Sequence, residues 1–546
     1  VYPYTVSELP PSSARAREST QPERRGRVTS IKLWIPGLFL GLAVCLCYLG
    51  VELYLLGGEL GFPLDDSWIH LQFARNLATG HGLSFNPGDL VPGSTAPLWT
   101  ALLSIGFLVP GNPLVWSKLL GILFYLTGCW LTQVLARELG LGRQWSIVAA
   151  LLTGFTSWLA WSALSGLEIP LFVVLSLTGI VLHMRERRDP SRLPLALPVL
   201  ALSFLARPEA GLLIVAALAD RFLDFRTDAS GDRHWSPPAV RPLLLGLVLV
   251  AVIVGPAVWF NFWVSGSPLP TTFGAKSHGV VRTLPEIGYL YTVFGIFFQA
   301  QPWMAMLACA GALVLLFRLG GKESRGLLPA FWMLGLPLAY GLIDPPGKFS
   351  LVGNFGRYYF PLFPIVIVLG MLAIATMAEA TSSKSRSGLG RRALRIAMLL
   401  VLLLPTLTEL AQGASRYGQS VVNVHDSDVR VARWLAGRLP PEAVLGVGDI
   451  GAIKFLLPNP VVDLAGIANP EIKVWGATRF LEHHRPDYLV IFPNWLQRVT
   501  EDVSAFEAVH QVPIENNITM AGDVLVVYAT PWTRHRLTER DSGATD

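Results

Sequence analysis

The sequence predicts an α-helical polytopic membrane protein with a small soluble α/β domain at its C-terminal end. Three observations predict it. The chain of 546 residues is 52% hydrophobic and only 15% charged, with a mean hydropathy of +0.47, far from the composition of an ordinary globular protein. Apolar runs of roughly 17 to 25 residues recur along most of its length, as a bilayer core of about 30 Å requires of a spanning helix. From about His425 the composition turns soluble, and short β-branched runs alternate with helix-like segments. The apolar part lacks strand-like alternation, which argues against a porin-type barrel.

Residues 1–32 are polar, rich in Pro and Ser, and carry Arg15, Arg17, Arg24, Arg25 and Arg27, which reads as a disordered cytoplasmic tail. Leu33 to Leu56 reads as a retained span; a signal peptide has a shorter apolar core followed by a small-residue cleavage site. Further spans are expected at Trp116–Leu135, Trp145–Leu164, Ile169–Met184, Leu193–Leu205, Glu209–Phe222, Pro242–Val264, Trp303–Leu319, Leu327–Ile343, Tyr358–Met377 and Leu394–Leu410. That makes about eleven within a membrane domain covering 33–411.

Threaded from a cytoplasmic N-terminus, these spans put Arg137/Arg143, Arg185–Arg192, Arg221–Arg241, Arg318–Arg325 and Lys384–Arg395 on one side, as the positive-inside rule requires. Loop 58–115, "SGSPLPTTFGAK", "DPPGKFSLVGNFGRYY" and the 412–546 domain then lie outside the plasma (inner) membrane. Leu98–Val109 is too short to span and is expected at the outer interface. In the terminal domain, strands are expected at "AVLGVGD", "PVVDL", "DYLVIF" and "DVLVVYA", helices at "DSDVRVARWLAGRL" and "WGATRFLEHH", and a disordered end.

Lys and Arg number 43 against 38 Asp and Glu, a balance that orients the chain and makes no case for nucleic acid. Cys45, Cys47, Cys129 and Cys309 all fall in apolar spans, which argues against disulfides and a thiolate metal site. Gly446-Val447-Gly448-Asp449-Ile450-Gly451 matches a dinucleotide fingerprint, but Pro458 soon ends any helix there and the domain faces away from nucleotides, so a tight loop is the better reading.

Candidate chemistry gathers in the loop after the first span. Asp65 and Asp66 precede a segment with Ile69, Leu71, Phe73, Ala74, Leu77 and Ala78 on one face and Gln72, Arg75, Asn76 and Thr79 on the other, an amphipathic helix expected to lie on the membrane surface. One aspartate serves as its N-cap; the second, close to the bilayer, has to be solvated, paired or used. His70 sits in the apolar arc, open to a packed or a ligand role, Arg75 joins the candidates for substrate binding, and His81 lies in a Gly80-His81-Gly82 turn. Glu168 of "SGLE" is open to a cap or a site role, and Arg207 of "RPE" lies deep among apolar helices, where it must pair with Glu209 or with an anionic ligand. Lys276 and Arg357 end a Pro-rich turn and open a span; they either snorkel to headgroups or bind phosphate.

In their order, "LDDSWIHLQFARNLATGHGLSFNPGD", "STAPLW", "SGLEIPLF", "LARPEAG", "GSPLPTTFGAK", "RYYFPLFP" and "WLAGRLPPEAVLGVGDIGAIKFL…VVDLAGI" resemble the polytopic glycosyltransferases of the GT-C superfamily, and among them the branch of the actinobacterial terminal β-(1→2) arabinofuranosyltransferase. The resemblance runs from Leu33 to Ala468; "VPGSTAPLW" departs from that branch. It implies a GT-C-like fold and an enzyme that takes a sugar from a polyprenyl-phosphate donor to a cell-envelope glycan, lipid or protein acceptor outside the membrane, without a nucleotide cofactor. A carboxylate serves as general base for an inverting displacement. Carried over, the base falls on Asp65 or Asp66, with Asp65 preferred because Asp66 is the better placed cap for a helix starting at Ser67. His70, Arg75, Glu168, Arg207, Lys276 and Arg357 become candidates for donor phosphate or substrate binding. Asp65 and Asp66 could also hold a divalent cation (Mg, Mn or Ca). The alternative is a transporter or flippase of a lipid-linked sugar, which would place its acids and cations near the midplane between related halves.

Overall fold

The structure is a computed structural model that describes residues 35–189, 191–222, 225–227, 233–235, 240–271, 284–318, 327–343, 356–382, 388–494, 499, 503–535 and 537. In chain order its first helices are α1 (Ile35–Leu55), α2 (Asp66–Ala78), α3 (Pro97–Ser104), α4 (Pro113–Glu138), α5 (Arg143–Gly154), α6 (Ser157–Leu164), α7 (Ile169–Arg188), α8 (Ala196–Ala206), α9 (Ala210–Phe222) and α10 (Val240–Ser265). Longer-range helices follow at Ile287–Ala300, Pro302–Arg318, Leu327–Ile343, Phe363–Ser382 and Gly388–Val424.

Among the described residues, 5 helices are long and apolar enough to cross a membrane, and up to 7 if each of two bent pairs counts as one span. This is a membrane protein. Several expected spans are shorter than a bilayer crossing: Leu193–Leu205 falls on the 11 residues of α8 and Leu327–Ile343 on a helix of 17. The helix Ile287–Ala300 was not expected, because its 14 mostly apolar residues end at Gln301-Pro302 and never fill a spanning window.

The two bent pairs break where they face each other. α5 and α6 meet at 56°, and Ile287–Ala300 meets Pro302–Phe317 at 120°. Gln301 Nε2 donates to the Leu152 carbonyl and to Thr156 Oγ1, both at 3.1 Å, and Thr406 donates to Gln301 Oε1 at 3.3 Å. Groups released by each bend therefore find partners inside the protein, which apolar surroundings demand.

A second polar network ties the bundle together. Lys118 Nζ on α4 donates to Glu52 Oε2 on α1 at 2.9 Å, to the Leu164 carbonyl at 3.0 Å and to Tyr417 Oη at 3.0 Å. Glu52 also accepts from the Gly61 N–H at 2.9 Å and from Tyr417. Every charged atom in this group is buried and hydrogen-bonded, so both ions are satisfied.

The terminal domain is reached without a linker: the helix Gly388–Val424 runs through a π-turn at His425–Val429 into Arg430–Leu435. A two-stranded ribbon, β1 (Phe225–Thr227) and β2 (Arg233–Trp235), precedes it in the chain. The domain's sheet comprises β3 (Leu445–Val447), β4 (Val461–Asp463), β5 (Tyr488–Ile491), β6 (Glu507–Pro513) and β7 (Val524–Ala529), ordered β4-β3-β5-β7-β6. β4, β3 and β5 are parallel; β7 runs antiparallel to β5 and to β6. The four expected strands are β3, β4, β5 and β7. β6 escaped the sequence reading because it is a largely exposed edge strand, interrupted by a register shift at Ala508/His510.

One expectation is corrected. The amphipathic helix, α2, does not turn its polar face to solvent; it is wedged between the two parts of the molecule. Trp68, Leu71 and Ala74 belong to the core of the membrane part, while Ile69 and Phe73 join Phe85 and Val91 in the core of the terminal domain. The polar face serves backbone: Gln72 Nε2 donates to the Phe85 carbonyl at 2.7 Å and Asn76 Nδ2 to those of Ser84 and Phe85 at 2.9 Å. α2 ends at Gly80, whose φ of +83° suits glycine, with His81 N–H on the Asn76 carbonyl at 2.8 Å and Gly80 N–H on that of Leu77 at 3.3 Å. His81 stays local, with Nδ1 2.9 Å from Thr79 Oγ1.

Lys118→Met strands Glu52 as an unpaired buried carboxylate and is expected to cost about 3–5 kcal/mol. The double variant with Glu52→Gln should recover most of that loss, measured by thermal unfolding of the full chain in detergent.

Candidate active site

The aspartate pair is split between two tasks. Asp65 Oδ2 accepts the Gly451 N–H at 2.6 Å and Oδ1 the Ala452 N–H at 2.7 Å. Those donors are the free N–H groups at the start of the helix Ile450–Leu456, so Asp65 caps a helix of the terminal domain. Asp66, the first residue of α2, pairs instead with Arg357. Asp65 stands at the N-cap position of α2 without a side-chain cap bond to it, and that helix starts at Asp66, one residue earlier than expected.

Gly451 makes the first contact possible. A Cβ there would lie 2.3 Å from the Asp65 carbonyl oxygen and 2.7 Å from its Oδ1, distances that backbone cannot yield to. The G-x-G-x-x-G match is thus a strand, a turn and a short helix after all, but its anion-binding N–H groups are filled by the chain's own carboxylate. Burial, together with the charge of Asp449, pushes the Asp65 carboxyl up to about 8 against the pull of its two N–H bonds.

Arg75 grips the other end of the same helix. Nη1 donates to the Phe455 carbonyl at 2.8 Å, and the guanidinium lies 4.7 Å from the Phe455 ring centroid. Arg75 is therefore engaged in docking the terminal domain.

The remaining candidates converge. Arg207 Nη1 lies 2.5 Å from Glu168 Oε1 and Nη2 lies 2.6 Å from Glu209 Oε1; His70 Nε2 is 3.2 Å from Glu168 Oε2. Tyr340 donates to Glu209, and the Tyr358 ring lies under both cations, 4.9 Å from Arg207 and 5.6 Å from Arg357. Glu168 occupies the N-cap position of α7 without a capping bond, and Arg357 is buried and does not snorkel. Glu209, Tyr340 and Tyr358 are additions that the sequence reading did not place in the site; the "RPE" spacing was the available signal for Glu209.

Two guanidinium donors, Arg207 Nε and Arg357 Nη1, are buried in this cluster without a hydrogen-bond partner among the described residues, as are the His70 Nδ1 nitrogen and the Glu209 Oε2 oxygen. Immediately beyond Arg207, an apolar groove of about 300 Å³ is lined by Leu83, Val91, Phe204, Pro208, Pro256 and Phe260. Its rim is braced by Thr271, whose Oγ1 donates to the carbonyls of Pro92 at 3.2 Å and Ile467 at 2.7 Å. Lys276, five residues on, lies outside the described residues.

The donor set does not suit the divalent cation considered for Asp65 and Asp66. Asp65 uses both oxygens on N–H groups and Asp66 faces a guanidinium. Among the described residues, no three His, Cys, Asp or Glu side chains are grouped as metal ligands.

Comparison with known proteins supports the fold. ArnT from Cupriavidus metallidurans in the apo state superposes with a TM-score of 0.54 at 16% identity, over 91% of this chain and 97% of that one. The same protein bound to undecaprenyl phosphate gives 0.53 at 15%, over 92% and 98%. An Archaeoglobus fulgidus oligosaccharyltransferase tethered to an acceptor peptide gives 0.50 at 13%, over 90% and 77%. At these identities the likeness is one of fold, a mostly helical membrane protein with a small sheet near its C-terminal end. A family profile described as a domain of unknown function, DUF8728, matches residues 416–535. No curated protein matches.

Removing the Asp65 carboxylate by Asp65→Ala should weaken docking of the terminal domain by about 1–3 kcal/mol, since two helix N–H groups lose their acceptor. Gly451→Ala should weaken it further, because the added Cβ collides with backbone; both effects are read by limited proteolysis and thermal unfolding of the full chain.

Proposed function

We propose that the protein is a membrane glycosyltransferase that moves a sugar from a polyprenyl-phosphate carrier to a glycan, lipid or protein acceptor of the cell envelope, at the extracytoplasmic face of the plasma membrane. The unpartnered donors carry this reading. Leaving a buried donor unmade costs about 1–3 kcal/mol, and Arg207 and Arg357 each carry one, in a cluster where a phosphate could accept from them. The apolar groove that begins at Pro208 suits the isoprenoid end of the same molecule. The crystal complex of ArnT with undecaprenyl phosphate supports a lipid-linked donor in a chain of this fold.

In this reading the donor phosphate draws Arg357 away from Asp66, which becomes the general base in place of Asp65. As the acceptor oxygen bonds to the anomeric carbon, its proton passes to Asp66. The bond from that carbon to the phosphate oxygen breaks, and its electron pair leaves on polyprenyl phosphate, already an anion and in no need of a general acid. Attack opposite the leaving group inverts the anomeric centre. Arg207, clamped by Glu168 and Glu209, is held rigid to meet the developing phosphate charge. Lys276 is assigned to the same phosphate, since Thr271 pins the start of its segment at the groove.

The motif order leaves pentose donors of the arabinofuranosyl type and hexose donors both within this reading. A transporter or flippase is the weaker account, because the charged cluster adjoins the terminal domain's docking helix α2 and no internal repeat is evident in the sequence.

The test uses purified full-length protein with labelled polyprenyl-phosphate pentoses and hexoses. Asp66→Asn should lower transfer by about 10²–10⁴-fold, while Asp65→Asn should lower it far less. Full activity in Asp66→Asn would remove the assigned base. Movement of the lipid across vesicles without sugar transfer would replace the reading with a flippase.

A further inference from the structure

The helix Ile450–Leu456 begins among more carboxyl groups than it can use. Asp449 holds its N-cap position but makes no side-chain cap bond, because Asp65 of α2 takes the Gly451 and Ala452 N–H groups. Asp428, on the π-turn that leads into the terminal domain, is 0% exposed, and neither of its carboxyl oxygens has a partner among the described residues. Asp428 lies within electrostatic reach of both Asp65 and Asp449.

Among the described residues, no cation pairs with Asp65, Asp428 or Asp449. Asp66 and Asp463 are the other charged side chains felt by the cluster, from α2 and β4, and both add negative charge. Arg75 sits at the far end of the helix on the Phe455 carbonyl, and Lys454 Nζ is spent on the Asn459 carbonyl at 2.7 Å. Arg430 points to the surface, and Arg433 pairs with Glu59 at 2.5 Å. His425 of the π-turn faces Asp426 at 3.1 Å. A fully buried, unpartnered carboxylate costs several kcal/mol as an ion, and a proton removes that cost.

We propose that Asp65, Asp428 and Asp449 form a proton-dependent latch, which holds the terminal domain against α2 while the cluster retains protons and loosens as they are lost. Burial raises all three carboxyls, with Asp449 at about 6 and Asp65 at about 8. Groups raised in the docked state stabilise it fully below the ordinary carboxyl range, and that stabilisation is lost as pH rises through the docked values, here from about 6 to about 8. The latch's three carboxyl groups do not include the assigned base, Asp66, so it holds whether or not the transferase reading does.

Amide hydrogen exchange of residues 450–453 in the full chain in nanodiscs tests it, with intrinsic rates corrected, at about pH 5.5 and about pH 8.5. Protection should fall by at least about tenfold over that range in the natural protein. In Asp428→Asn, which keeps the shape and removes the charge, the fall should shrink to under about threefold, with protection at the higher pH above that of the natural protein. Asp449→Asn should move in the same direction. Protection independent of pH in the natural protein would overturn the latch, as would lower protection in both variants at both pH values. A gain in protection with added Ca²⁺ that Asp428→Asn abolishes would also overturn it, by showing a cation where the latch requires a proton.

Discussion

The two ends of one short helix are held by a carboxyl group and a guanidinium, and the rest of the structure depends on that grip. Asp65 supplies a carboxyl group to the N–H groups at the start of Ile450–Leu456, and Arg75 supplies a guanidinium to carbonyls at its end. The guanidinium meets the end of the helix dipole that favours a cation. Because both residues flank or lie on α2, the terminal domain and the membrane part share that helix, with Ile69 and Phe73 in one core and Trp68 and Leu71 in the other. Asp66 follows Asp65 directly, so the grip also sets where the candidate base stands relative to Arg357.

The charged cluster next to it obeys a second constraint. Arg207 is shared by Glu168 and Glu209, and Arg357 is paired with Asp66, so two guanidinium groups face three carboxylates. Buried charges in that proportion are held in place by mutual pairing, yet the pairing leaves donors at Arg207 Nε and Arg357 Nη1 unused. Rigid positioning with unspent donors is what a site for an anionic ligand requires, and it distinguishes this cluster from Glu52, Lys118 and Tyr417, where every charge is answered within the protein.

Much of the fold was legible because its signals are local. Apolar runs marked most of the long helices, and β-branched runs marked β3, β4, β5 and β7, each a run of buried residues whose pattern survives without its neighbours. The exceptions have physical causes. Helices that bend at Phe155-Thr156 and Gln301-Pro302 depend on one another for hydrogen bonds, and β6 is an exposed edge strand without a buried face to announce it. The polar side of α2 read as solvated because its partners, the carbonyls of Ser84, Phe85 and Phe455, carry no sequence signature at all.

By itself the sequence determined that a membrane-embedded helical protein carries a surplus acid after its first helix, and that Glu168, Arg207 and Arg357 sit where charge is costly enough to need a purpose. Composition and the cost of burying charge are properties of the residues, and they hold in any arrangement. Only the tertiary structure decided the division of labour between Asp65 and Asp66, since the answer lies in Gly451, 386 residues further along the chain from Asp65. A backbone N–H is the same in every residue, and only folding determines which carboxylate it meets.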